Sequence, residues 1–410
     1  MLRHPVLFAI ATALTARAAD ADAAAAEPPS PPLWPGANAT AHARDEALLH
    51  GVEYLYGRGM QDDANFFTYG FDYLLCLQGV SHRALNPVVA QRALDIGRAL
   101  GRKWKREFTQ VPEDAQPHQV QRLLFGLFAL ERLGMHFPML KNELRQYTAL
   151  FEVEEFLHFH PSKHDPAQPP ERKPPRFPPR GGGGGGGGAK ADAPQVLTAP
   201  SDELPASGAK GRSALALWSG ALVRTFVAEK LGLPLGGGFA ESTSYDDVLR
   251  WRPGLLPYGA ARDAAHFHEQ VVAASSLAQT LSDFGRLQLQ PETLRPELEF
   301  ASANVSAAVA SNDVDLAAAL VDVLRSFGVD ESSASAALRE GVDFLLRRQR
   351  ADGSWAAAAA SPQAVYHPTC SALLALSPHE HHGFGPAMPR LLQLLRRQAG
   401  LEDDGVKEEL

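Results

Sequence analysis

The chain has 410 residues, 45% hydrophobic and 21% charged, which excludes a disordered polymer and leaves room for one large core or two ordinary ones. Its net charge of -8, from 39 basic and 47 acidic side chains, and the lack of a basic block argue against nucleic acid as a partner. Two cysteines, Cys76 and Cys370, exclude a disulfide framework or a four-cysteine zinc site. One bond between them is chemically open, but both lie in apolar helical text, LLCL and TCSALLAL, where a buried free thiol is the more usual finding.

Residues 1–19 read as a signal peptide: Arg3 and His4 give a positive start, Val6 to Leu14 an apolar stretch too short for a bilayer, and Ala16-Arg17-Ala18 an A-x-A cleavage site. An organelle transit peptide is the competing reading. Residues 401–410 are an acidic tail closing on Lys407-Glu408-Glu409-Leu410, which differs from the K-D-E-L retrieval signal by Glu for Asp. Together the two ends predict a protein of the endoplasmic reticulum lumen with a retrieval receptor as one partner. Asn38-Ala39-Thr40 and Asn304-Val305-Ser306 would then be glycan acceptors, making it a glycoprotein. No other stretch is long and apolar enough to predict a membrane span.

Residues 20–43 are Ala- and Pro-rich without periodicity and read as a flexible lead-in. Helical text fills residues 44–160: Asn86-Pro87 opens one helix with proline at its first position, Val120, Leu123, Leu124, Leu127 and Phe128 mark the face of another, and a third is predicted from Met139 to Phe159. Residues 161–212 carry the run PAQPPERKPPRFPPR and an unbroken Gly181 to Gly188, which cannot bury a core and read as a disordered insertion within one domain. Helical text resumes over residues 213–400, with helices expected near Ser213 to Phe226, Ser244 to Trp251, Ala261 to Leu287, Glu292 to Ser311, Asp313 to Phe327, Ala334 to Arg350, Pro362 to Leu376 and Met388 to Ala399. Asp313 is placed as a cap, and Gly328 and Gly400 as stops. No stretch reads as a strand, so the fold class is all-α.

The most specific stretch is Gly341 to Trp355. Leu338, Val342, Leu345 and Leu346 make one apolar stripe, Arg347, Arg348 and Arg350 line the other side, and Asp352-Gly353 turns the chain so that Trp355 packs back. A degenerate copy stands near the start: Gly51-Val52-Glu53-Tyr54-Leu55 matches Gly341-Val342-Asp343-Phe344-Leu345, with Arg58 and Asp62 at the offsets of Arg348 and Asp352. Two distant copies of one helix-turn unit suggest repeated helical hairpins, which pack antiparallel and would close into a ring.

The pattern G-x-x-F-L-x-x-x-Q-x-x-x-G-x-W, on Gly341, Phe344, Leu345, Gln349, Gly353 and Trp355, resembles the repeat of the terpenoid cyclase and protein prenyltransferase superfamily. That resemblance implies an α/α toroid, two concentric rings of helices around a cavity. Tyr366-His367-Pro368-Thr369-Cys370 is similar to the Tyr-His-Thr segment of protein prenyltransferase β subunits, where the His ligates zinc, with Pro368 as an insertion. The catalytic signatures D-x-D-D, D-D-x-x-D and the zinc-binding Asp-x-Cys are absent, and Glu340 replaces the basic residue often found before the first Gly.

His367 opens the helix after the turn and is the first candidate acid-base group or metal ligand, with Tyr366, Trp355, Tyr69 and Asp72 expected to line the cavity. The doublets Asp62-Asp63 and Asp246-Asp247 could raise one carboxyl pKa by mutual repulsion, although aspartate at a helix start is more often a cap. His266 and His268 offer a further metal pair on a loop or strand, though not on one face of a helix. A divalent metal such as zinc is the cofactor these histidines would take. His379-Glu380-His381-His382 reads as an exposed loop. The expectation is a luminal enzyme using the toroid cavity on a lipid-like or isoprenoid small molecule, a substrate class that only the resemblance implies. The alternatives are a non-catalytic binding scaffold and a glycan-processing enzyme, which would place paired carboxylates across the cavity.

Overall fold

Side-chain periodicity, caps and glycine stops divide the chain into helices much as the sequence predicts. The computed structural model describes residues 37–163, 213–236, 242–255, 258, 261, 263–330, 333, 335–355 and 362–401. The signal peptide, nearly all of the Pro/Gly-rich insertion and the KEEL tail lie outside the described residues. Within them, the first half holds α1 (Ala37–Gln61), α2 (Asp63–Arg83), α3 (Pro87–Glu107), α4 (Pro117–Arg132), α5 (Pro138–Leu150) and α6 (Val153–Leu157). The second half holds α7 (Ala214–Leu231), α8 (Tyr245–Leu249), α9 (Arg252–Leu255), α10 (Ala264–Leu281), α11 (Arg295–Ala310), α12 (Val314–Ser326), α13 (Ala336–Arg348), α14 (Pro362–Leu376) and α15 (Pro389–Gln398).

Caps set many of these boundaries. Side chains of Asp62, Asn86, Ser213, Ser244, Asp263, Asp313 and Ser335 each accept a bond from the first turn they precede, satisfying donors that have no partner within the helix. Three expectations need correction. The lead-in becomes helical at Ala37, seven residues before 44, where alternating alanines have the highest helix propensity. The helix expected from Met139 to Phe159 is two, because the chain turns extended at Phe151 and Glu152, whose side chain starts α6 in a capping box. Two strands of two residues each also occur, β1 (Gln288–Leu289) and β2 (Phe384–Gly385), paired parallel.

Contacts between helices follow a closed series: α2 touches α4, α4 touches α7, and the order continues through α10, α12 and α14 back to α2. Helices α7, α10 and α12 are buried on nearly every face, whereas α3, α13 and α15 bury one stripe. Of the latter, α13 and α3 lie against α1, which in turn contacts α14.

The two copies of the repeated phrase sit at one seam. A methyl group on Gly341 would come within 2.4 Å of Val321, and one on Gly51 within 2.7 Å of Leu373, so each glycine lets its helix approach a helix of the closed series. Gln349 Nε2 donates to Ala47 O at 2.8 Å, tying the end of α13 to α1, some 300 residues earlier. Gly353 has φ 87°, and a side chain there would also strike His50 O at 2.4 Å. Trp355 donates Nε1 to Leu345 O and lies against Gly51. The phrase therefore joins the last part of the chain to the first.

Candidate active site

Asp313 caps α12, which places Asp315 in its first turn, where the helix dipole favours a carboxylate. On α14, His367 and Ser371 are four apart and share a face, and both bond the Asp315 carboxylate; His367 Nδ1 lies 3.0 Å from Asp315 Oδ1. Burial alone would raise the Asp315 carboxyl, but the charge and hydrogen bond of His367 and the bond from Ser371 hold it below its ordinary value. His268, in the second turn of α10, completes the cluster. Burial lowers its pKa to about 4, with Asp315 opposing and His367 adding to the shift, so it is neutral near pH 7. The site is nearly closed, with the Asp315 side chain 16% exposed and that of His367 3%.

One residue earlier on α14, Tyr366 donates its hydroxyl to Asp72 Oδ2 of α2 at 2.6 Å. Burial first, then the Asp72 charge, pushes the Tyr366 hydroxyl well above its ordinary value, so it remains a donor. The Tyr73 ring stacks on Tyr366 at 4.8 Å and Tyr69 lies 5.3 Å from it. Tyr366, Tyr69, Asp72 and His367 thus lie near one another in a buried group, lining none of the crevice described below.

The remaining candidates fall elsewhere. Trp355 is packed in the seam core and lines no opening, because its indole N–H is committed to Leu345 O. Asp62 caps α2 and accepts from Asn65 N and Arg58; Asp63 is 86% exposed and pairs with Lys103. Asp247 forms the capping box of α8 with Ser244, and Asp246 pairs with Arg390 at 3.2 Å. Both doublets serve helix starts, which is the capping role. His266 lies in the first turn of α10, two residues from His268 and so on another face. Among the described residues no three His, Cys, Asp or Glu side chains are grouped to hold a metal ion, and of the three histidines offered as ligands His266 stands apart from His268 and His367. Asn38 falls in the first turn of α1, and Asn304 inside α11, its amide bonded to Phe300 O.

At the opposite ends of the same helices lies a second polar cluster. Arg83, the last residue of α2, donates to Phe284 O at 2.8 Å and to Asp322 Oδ1 of α12 at 2.5 Å. Asp322 also accepts from Gln279 Nε2 and pairs with His379 Nε2 at 3.2 Å. Burial would raise Asp322, but Arg83 and His379 hold it far below the usual carboxylate range. His379 is lowered to about 4 by burial and by Arg83, against Asp322. The segment expected as an exposed loop is therefore buried at His379, because pairing of β1 with β2 carries it against the ends of α2 and α12. Arg132, ending α4, pairs with Asp283 at 2.7 Å beside Lys230 at the end of α7. A narrow apolar crevice between α4, α6 and α7, lined by residues such as Phe125, Phe156 and Val227, leaves no room for a water molecule and touches neither cluster.

Asp315 and Asp322 escaped the sequence reading. The spacing of Asp313 and Asp315 signals only a helix start, and the partners that distinguish both carboxylates come from segments more than 40 residues away. Compared with known proteins, the chain matches no family model, no curated protein and no solved structure.

Proposed function

We propose that the chain is a single α/α toroid of the endoplasmic reticulum lumen in which Asp315, His367 and His268 form a general acid-base site for a small lipid-like or isoprenoid ligand. The closed series of helix contacts, with amphipathic helices outside it, supports the toroid. The signal-like start and the KEEL end support the luminal location, with the retrieval receptor as partner. The substrate class rests on the resemblance of the Gly341 to Trp355 repeat alone.

The observation that carries the enzymatic reading is the His367–Asp315 pair at 3.0 Å, beside a second imidazole that burial keeps neutral. A carboxylate behind one ring fixes its orientation and stabilises the imidazolium when that ring takes a proton; a neighbouring neutral ring is a ready acceptor. The described carboxylates of this region are each committed, Asp72 to Tyr366 and Asp315 to His367, and so do not supply the free pair that glycan hydrolysis uses.

The test uses the full chain with long-chain isoprenoid alcohols and their phosphates, following binding by thermal shift and product by mass spectrometry. Wild type is expected to bind and convert at least one of them, and Asp315→Asn and His367→Gln to bind it while losing roughly 100-fold or more in turnover. Unchanged turnover in both folded variants would overturn the acid-base role. Binding without turnover in wild type selects the scaffold reading, which the near-complete burial of this cluster favours.

A further inference from the structure

Cys76 and Cys370 are the only cysteines of the 410 residues, and they meet. Cys76, in the middle of α2, and Cys370, in the middle of α14, are both fully buried, and Cys76 Sγ lies 3.8 Å from Cys370 O. The two thiols also lie close enough to interact by hydrogen bond. A core residue touches on the order of ten others, so two positions chosen blindly in a chain of this length would touch only about 2% of the time. Buried apolar helix text accounts for each cysteine alone; it does not account for their meeting from 294 residues apart.

In the structure both are thiols. We infer that Cys76 and Cys370 are a disulfide-forming pair that covalently closes the seam where α14 returns to α2. The bond would join the same two ends of the chain that Gln349 and Trp355 already hold together. Its chemistry is thiol–disulfide exchange. One cysteine thiolate attacks a small disulfide such as glutathione disulfide, releasing one glutathione thiolate and leaving a mixed disulfide. The second cysteine thiolate then displaces the other glutathione, so that two protons and two electrons leave the protein and one disulfide becomes two thiols.

The timing follows from burial. In the folded chain burial pushes the Cys370 thiol well above its ordinary value, which makes it a poor nucleophile. Exchange therefore belongs to the folding chain, before α14 docks on α2, and the finished bond is shielded from reductant. The luminal location matters only for where a cell would form the bond, since an oxidising compartment supplies the disulfide.

The experiment refolds the full chain in a glutathione redox buffer, denatures it in guanidinium chloride with a maleimide, and reads intact mass. The expected result is a monomer with no maleimide added, two added after prior reduction, and a Tm roughly 5–10 °C above that of Cys76→Ala/Cys370→Ala. Cys370→Ala alone should expose Cys76 and give glutathione adducts or disulfide-linked dimers during the same refolding. Two maleimides on the unreduced folded chain, or a dimer-linking bond in wild type, would overturn the pairing. Because this readout uses neither a ligand nor a cell, its failure would leave the acid-base proposal standing, and the reverse also holds.

Discussion

The two polar clusters at opposite ends of the same helices use the same side chains for different ends. Around Asp322 both carboxylate oxygens are matched: Arg83 and His379 sit on one, Gln279 on the other, and Arg83 also serves Phe284 O, while the buried Nδ1 of His379 has no partner among the described residues. Around Asp315 an imidazole and a hydroxyl share one carboxylate, and His268 stands beside them neutral. The first arrangement ties a loop to helix ends through a buried guanidinium; the second holds its carboxylate with neutral donors, the feature on which the proposed acid-base role rests. Buried histidine and aspartate are thus not by themselves a functional signal. What distinguishes the sites is whether a guanidinium saturates the carboxylate.

That contrast predicts unequal costs for removing each acid. Asp322→Ala leaves Arg83 buried with its charge uncompensated, and is expected to lower unfolding free energy by about 3–5 kcal/mol in denaturant titration. Asp315→Asn keeps hydrogen-bonding capacity and removes no fixed cation's partner, so a loss of about 1–2 kcal/mol is expected. Equal losses would break the distinction between the two ends.

Acid sharpens it. His379 and His268 each have a folded pKa of about 4, against about 6.5 for an unfolded histidine. Between those values the unfolded chain binds more protons, so stability is full above pH 6.5 and falls as pH drops toward 4, by at most about 3 kcal/mol per group. Burial also lowers His82 and His381, which act in the same direction. Asp322 works outside this window: its depressed carboxyl stabilises the fold above the ordinary carboxylate range and loses that contribution only in stronger acid. Urea titrations from pH 7 to 4.5 should show the fall, and His268→Phe should remove its own share while leaving that of His379.

Much of the fold was legible because its signals are local. Pro362 to Leu376 was bounded correctly, and α12 and α15 to within a residue, with a cap at Asp313 and glycine stops at 328 and 400. Gly51, Gly341 and Trp355 were visible as parts of a repeated phrase, but not that its two copies meet, because a small residue at a fixed offset records a close approach without naming the partner. His367 was singled out by its position after the turn, and the structure pairs it with Asp315. Asp315, Asp322 and the burial of His379 were not, because their significance depends on which helices become neighbours, and no periodicity within one helix carries that.

The acidic doublets show the same limit on the smallest scale. Asp62 and Asp63 are adjacent and identical in sequence terms, yet Asp62 holds the first turn of α2 through Asn65 N while Asp63 projects into solvent toward Lys103. Asp62→Ala should cost about 1 kcal/mol as a lost cap, with a further contribution of a few tenths from Arg58. Asp63→Ala should change stability by less than about 1 kcal/mol, since the carboxylate is solvated at 86% exposure and the buried Lys103 ammonium keeps Gly59 O and the Phe66 ring as partners. Neither variant should alter ligand conversion. If Asp63→Ala reduced turnover as strongly as Asp315→Asn, the acid-base site would have to be moved from the start of α12 to the start of α2. Mutual repulsion within the doublet would then have mattered more than capping.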